Sequence, residues 1–307
     1  MLKQDLISVI SLGIFLIFSM ISISLGYFLN DAGDIKIDLL AGKYNIFSDA
    51  QKREIILVIS VTILLALISG YIFFLNFKVL VLWILWLMAS WSYSLPPFRL
   101  KTKGLYGLFM VVAAQRILPI WIALEAFGIP VGFLYILSIV YVTVRGFLSD
   151  INHQLEDYHN DISTKVNTSV VKAGFAKMLR IFRTLLHLEN VLLILLLCGF
   201  GVEFFNSDKY IIAYILFIFA AVLIVLYVFA ILSSQYKKEF HILSPFIRNN
   251  EFIHFLHLTY PNVLLTIGVL FVSAINSPSY FILLLYFTVL YSFPAKRIIK
   301  SILAGIL

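Results

Sequence analysis

The sequence predicts an all-α, polytopic integral membrane protein, a bundle of about nine transmembrane helices. Three observations carry that reading. The 307 residues are 62% apolar and only 13% charged, where soluble domains average about 25% charged. The mean hydropathy is +1.00. The apolar residues also come in runs long enough to cross a bilayer, whose hydrocarbon core of roughly 30 Å needs about 20 helical residues. This composition excludes a water-soluble enzyme, a disordered chain and a conventional nucleic-acid binder. The net charge of +7 does not reopen nucleic acid, because the basic residues sit in short loops between apolar runs, where they report membrane orientation. The single cysteine, Cys198, lies in an apolar run. It offers neither a disulfide framework nor a thiolate metal site and reads as a small buried hydrophobe.

Nine runs qualify as spans, at roughly 7–29, 53–75, 78–96, 105–127, 130–149, 176–201, 210–234, 252–275 and 279–295. The first follows Lys3, but it is too long for a signal-peptide core, lacks a small-residue cleavage site and runs into an acidic segment. It is kept as a mature helix. The second and third are separated by Asn76-Phe77, and the fourth and fifth by Gly128-Ile129-Pro130. Four connections on one side are longer, at about 30–52, 97–104, 150–175 and 235–251, as alternation across nine spans requires. That side carries 18 Lys and Arg residues against three, Lys3, Lys78 and Lys209, on the other. An excess of this size marks the cytoplasmic face, with the N-terminus outside and the C-terminus inside. Function is expected in a cytoplasm-facing cavity, where the long connections lie. No linker or low-complexity tract interrupts the chain, which reads as a single domain over 1–307.

Seven of the 16 acidic residues fall in two short stretches. In the first, Asn30, Asp34 and Asp38 are spaced i, i+4, i+8 and share one face of a helix, with Asp31 beside them by the i+3 and i+7 steps. In the second, Asp157 and Asp161 are i, i+4 partners, and Asp150 and Gln154 extend the same face back toward the membrane. Carboxylates crowded at a membrane boundary repel one another, and cations hold such a cluster together. Oxygen donors without Cys or His favour a hard ion such as Mg²⁺, which usually joins a few carboxylates to substrate phosphates. Glu156 and Asp49 read as ordinary solvated carboxylates.

The segment Asn30–Asp38 reads NDxxDxxxD, Asp157–Asp161 reads DxxxD, and Tyr93-Ser-Leu-Pro96-Pro97-Phe-Arg99-Leu-Lys101 lies between them. In that order and spacing the set resembles the UbiA superfamily of intramembrane prenyltransferases, over about residues 10–235. The resemblance implies a Mg²⁺-dependent transfer of a prenyl group from a prenyl diphosphate to a small aromatic, quinone-precursor-like acceptor. It implies that Asn30, Asp31, Asp34 and Asp38 hold one ion and Asp157 and Asp161 the other. Arg99, Lys101, Lys103, Arg145 and Lys165 are candidates to bind the diphosphate. Arg99 or Lys101 matches the family's basic residue in this loop. Asp150 or Asp157 is the candidate base. The chemistry agrees: breaking an allylic C–O bond leaves a cation and a diphosphate, whose growing charge metal ions and fixed cations neutralise. A terpene cyclase using the same ionisation site is the alternative enzyme, and a transporter or scaffold the alternative outside enzymology. Transporters place polar residues at the midplane, whereas here they cluster at one interface.

Arg116 and Arg145 lie within spans, where an ionisable residue is costly and points to a role. Arg145 is expected to reach the diphosphate or Asp150, and Arg116 to pair with Glu125 or face a polar cavity. Trp91 and Tyr93, beside the basic turn, are the favoured aromatics for the substrate. His254 and His257 read as a helix-surface pair. The sequence departs from the family pattern in two ways. A complete span that usually precedes the first acidic motif is missing, with an extra span at about 279–295 that could fill its place; otherwise the true start lies upstream. The Arg-Pro pair that many quinone-pathway members carry after the second motif is missing too.

Overall fold

The computed structural model describes residues 2–40, 42–163, 166–236 and 255–289. Among these residues there is no strand, and eight helices are long and apolar enough to cross a membrane. They are α1 (Leu2–Leu40), α2 (Lys52–Phe74), α3 (Phe77–Ser94) and α4 (Leu105–Ala126), then α5 (Phe133–Glu156), α8 (Phe175–Asn206), α9 (Tyr210–Tyr236) and α10. Helix α10 starts as a π-helix over Phe255–Leu264 and continues as an α-helix over Leu265–Asn276. Two short helices, α6 (Tyr158–Ser163) and α7 (Ser169–Ala173), follow α5. The ninth expected span begins as the shorter α11 (Tyr280–Val289), and positions 290–295 lie outside the described residues. The spans are apolar on all sides yet largely uncovered. Only 17% of the most apolar stretch of α2 is buried, the pattern of a helix whose outer face meets lipid rather than water.

One boundary corrects the sequence reading. The segment 30–40, expected as part of a loop, is the last three turns of α1. The helix ends at Leu40, just before Gly42, whose φ of 65° suits a residue without a Cβ. The Lys43 N–H reaches the Asp38 carbonyl at 2.8 Å and the Gly42 N–H the Leu39 carbonyl at 3.2 Å. These two bonds satisfy the last helical carbonyls as a Schellman cap. The acidic motif is therefore carried by a helix, so its i, i+4, i+8 face is real.

The chain forms two compact units, Ile10–Met178, and Met1–Val9 together with Leu179–Leu307. The first has a core of Phe15, Phe18, Leu25, Leu29, Phe73, Trp83 and Trp86, among others, from α1, α2 and α3. Phe15 and Phe73 meet edge to face at 5.3 Å. In α4, Pro119 cannot donate to a preceding carbonyl, and a π-helical turn forms at Ala113–Ile117 just before it. The Ala114 carbonyl, left without a main-chain donor by Pro119, accepts from Trp86 Nε1 at 2.8 Å. Helix α5 packs on α4 along a stripe of Tyr141, Val144, Leu148, Ile151 and Leu155, the i+3, i+4 spacing of an amphipathic face. In the second unit α9 packs on α10, with Phe182, Leu186, Leu216 and Leu223 buried.

Candidate active site

Every described residue of the two acidic segments and of the basic turn belongs to the first unit, Ile10–Met178. The turn after α3 contains a cis Pro96-Pro97 bond and puts Arg99 at φ 39°, ψ 56°. A left-handed conformation is uncommon for a residue with a Cβ and costs about 1–2 kcal/mol. It is held by the Arg99 N–H to the Leu95 carbonyl at 2.9 Å and by Arg99 Nη2, which donates to Asp34 Oδ1 at 2.7 Å. Lys101 Nζ donates to the other oxygen, Asp34 Oδ2, and to Asn30 Oδ1 at 3.2 Å. Both candidates of the basic loop thus meet the first motif, two helical positions on one face of α1. Burial pulls the Lys101 ammonium below its usual range, while the Asp34 carboxylate opposes that shift and the Arg99 charge adds to it. Lys103 is exposed at the end of the turn, and Lys165 lies outside the described residues.

The remaining members of the first motif are held by the loop after α1. Asn45 Nδ2 donates to Asp38 Oδ2 at 2.7 Å and to the Asp31 carbonyl at 2.9 Å. Asp31 lies in the electrostatic field of both Asp34 and Asp38.

In the second segment Asp157 caps the end of α5, its N–H on the His153 carbonyl, and its carboxylate lies 3.6 Å from His153 Nε2. Asp161 follows one turn later and bonds Thr168. Burial pushes the Asp161 carboxyl above the ordinary 3.8, and the Asp157 charge adds to that, against the Thr168 hydrogen bond. Gln154 does not extend the acidic face. Its Oε1 accepts from Ser169 Oγ at 2.6 Å, Ser169 N–H at 3.1 Å and Val170 N–H at 3.3 Å, and so caps α7. Thr168 is the N-cap of α7 and accepts from the Val171 N–H at 3.4 Å.

Two groups show that these segments share surroundings. The Tyr93 hydroxyl, near the end of α3, lies in the field of both Asp34 and Asp150. Lys43, just past the first motif, acts on Asp161. Trp91, by contrast, is exposed. The cation acting on half-buried Asp150 is Arg116, together with His153. Arg145 is 6% exposed and donates to the Tyr141 hydroxyl at 3.4 Å. Glu125, an expected partner of Arg116, meets Lys78 at 3.7 Å and accepts from the Tyr135 hydroxyl at 2.9 Å.

The donor set suits a hard cation, since Asn30, Asp31, Asp34, Asp38, Asp157 and Asp161 offer only oxygen. Among the described residues no group of three or more His, Cys, Asp or Glu stands close enough to hold a metal by itself. Either acidic segment alone offers fewer oxygen donors than a full coordination shell needs, so an ion there would have to be completed by water and phosphate oxygens.

Sequence reasoning passed over Asn45 and Glu189. Asn45 is an ordinary loop asparagine until the chain folds over it. Glu189 had a readable signal, a carboxylate inside an apolar run. It bonds His257 Nδ1 at 2.6 Å within the second unit. Both side chains are nearly inaccessible, so His257 is a core residue rather than a helix-surface one. His254 lies outside the described residues.

The model of the UbiA prenyltransferase family matches residues 2–250 of this chain. No curated protein and no solved structure matches it.

Proposed function

Since the chain belongs to the UbiA prenyltransferase family, whose members transfer prenyl groups within membranes, we propose that it moves a prenyl group from a prenyl diphosphate to a small aromatic acceptor in a Mg²⁺-dependent reaction. The observation that supports this reading most directly is the meeting of Arg99 and Lys101 with Asn30 and Asp34. It concentrates fixed positive charge and oxygen donors at one place, the combination a diphosphate with its cations requires. Asn30, Asp31, Asp34 and Asp38 would hold one ion, and Asp157 and Asp161 the other. Magnesium held there would supply Lewis-acid stabilisation of the charge developing on the leaving diphosphate.

The chain's own side chains do the rest. The bond from the prenyl C1 to the diphosphate oxygen breaks with its electron pair on oxygen. Arg99 and Lys101 then offer N–H donors to that oxygen cluster, fixed in place before the charge appears. Arg145 and Lys165 are further candidates for the same anion. The acceptor carbon bonds to C1 and gives up its proton. Asp150, half-buried beside Arg116 and His153, is the favoured group to take it, with Asp157 the other. A carboxylate that holds a divalent metal ion is the weaker base, and Asp157 would be so engaged, which favours Asp150. The distribution of Lys and Arg supports an orientation with the acidic segments cytoplasmic, the N-terminus outside and the C-terminus inside.

The test is diphosphate release by the purified protein in detergent, with geranyl to geranylgeranyl diphosphates and candidate aromatic acceptors, in Mg²⁺ or EDTA. Release should need Mg²⁺ and should fall by about 10²-fold or more in Asp34→Asn and Asp157→Asn. Release that survives EDTA, or that both variants retain, overturns the reading.

A further inference from the structure

The loop after α1 folds back onto the acidic helix through one side chain. Asn45 is 3% exposed although it sits in a loop. Its Nδ2 serves the Asp31 carbonyl and Asp38 Oδ2, and its Oδ1 accepts from the Phe47 N–H at 2.9 Å. The amide is therefore engaged at both ends. Phe47 is itself buried and packs against Phe28 at 5.9 Å, which seats the loop. A buried amide with satisfied partners holds its neighbours in one geometry. Among the described residues, the Asp38 carboxylate is bonded through Oδ2 alone, which leaves Oδ1 for another ligand. Without that donor, repulsion from Asp31 and Asp34 would favour a Asp38 rotamer turned away from the acidic face.

We infer that Asn45 is a positioning residue. It holds one oxygen of Asp38 so that the other is presented, and thereby sets the affinity of the acidic face for a divalent cation bound together with diphosphate. The inference rests on the proposed function for the identity of that ligand. Residues that orient a metal-binding carboxylate typically change metal affinity by about 10–100-fold when removed. Ser48 supplies the control. Its Oγ donates to the Asn45 carbonyl at 2.8 Å, so it braces the same loop without touching Asp38.

The experiment titrates Mn²⁺ into the full chain in detergent with inorganic diphosphate, following free Mn²⁺ by electron paramagnetic resonance. Asn45→Ala should weaken binding by about tenfold or more, and Ser48→Ala should bind as the native chain does. In an Asp38→Asn background, Asn45→Ala should add nothing further. Should Asn45→Ala fail to fold, Asn45→Ser, which is too short to reach Asp38, takes its place with the same expected loss. Native affinity in the Asn45 variant overturns the inference, as does equal weakening by Ser48→Ala or an undiminished effect without the Asp38 carboxylate. A native chain that binds no Mn²⁺ with diphosphate overturns the proposed function itself, and the inference with it. Native binding that the Asn45 variant leaves unchanged removes the inference alone.

Discussion

Gly33 lies inside the first acidic motif, one residue before Asp34, where α1 crosses the end of α3. A Cβ built on Gly33 would stand 2.4 Å from the Ser94 carbonyl oxygen and 3.2 Å from its carbon. Ordinary contact begins near 3.4 Å, so Gly33→Ala must open the crossing by about 1 Å or bend a main chain that is buried at Ser94. Overpacking of this kind costs about 1–3 kcal/mol, against about 1 kcal/mol recovered when Ala replaces Gly in a helix. The variant should fold with a modestly lower melting temperature. The larger effect falls on the site. The 2.7 Å bond between Arg99 and Asp34 spans this crossing, and an opening of about 1 Å breaks it. Misplacement on that scale costs about 10²-fold in rate. The assay is Mg²⁺-dependent diphosphate release with kcat and KM separated, beside thermal unfolding in the same detergent. Gly26→Ala is the internal control, because a Cβ there meets only the Trp86 ring, at 3.6 Å, and should leave both readouts near native. Native turnover and stability in Gly33→Ala would refute the argument that this close approach positions Asp34.

Two further outcomes follow from the same geometry. The Asp161 carboxyl is raised above 3.8, chiefly by burial, so the folded chain holds its proton more tightly than the unfolded chain does. Its contribution to stability is present below 3.8 and is lost as pH rises through the raised value. In EDTA at neutral pH, Asp161→Asn should therefore melt higher than the native chain, and the gap should close on acidification through that window. Added Mg²⁺ with diphosphate should reverse the order, and melting curves that never cross would count against Asp161 as a ligand. Glu189→Gln removes the carboxylate that meets His257 at 2.6 Å, in a site where both side chains are almost fully buried. Unfolding by denaturant should show a loss of about 3 kcal/mol, and a joint Glu189→Leu, His257→Leu replacement should recover much of it; an unchanged midpoint in the single variant would argue that the pair carries no charge.

The sequence by itself determined the class of structure and which residue types gather in the candidate site. Apolar runs long enough to span a bilayer leave helices as the only way for a chain of this kind to satisfy its main-chain groups in lipid. An i, i+4, i+8 row of Asn30, Asp34 and Asp38 must share a face wherever a helix carries it. Even the end of α1 was legible in Gly42, had the helix been followed past the apolar run that suggested a boundary near residue 29. Glu189 was legible too, as a charge in an apolar run, but its partner was not. His257 lies 68 positions away, and nothing local distinguishes a buried histidine from an exposed one.

What only the tertiary structure decided is which groups meet. Spacing alone could not choose between Arg99 and Lys101, and the fold brings both to Asp34, one on each oxygen. Arg145 and Arg116 are equivalent in sequence as cations inside spans, yet it is Arg116 that acts on Asp150, because the π-helical turn before Pro119 and the bare surface of Gly146 bring α4 against α5 there. Gln154 looked like part of an acidic face and instead caps α7. Asn45 carried no signal at all. Local periodicity fixes the direction of a side chain about its own helix axis, whereas its partner depends on how distant elements cross, and that is set by packing across the whole unit.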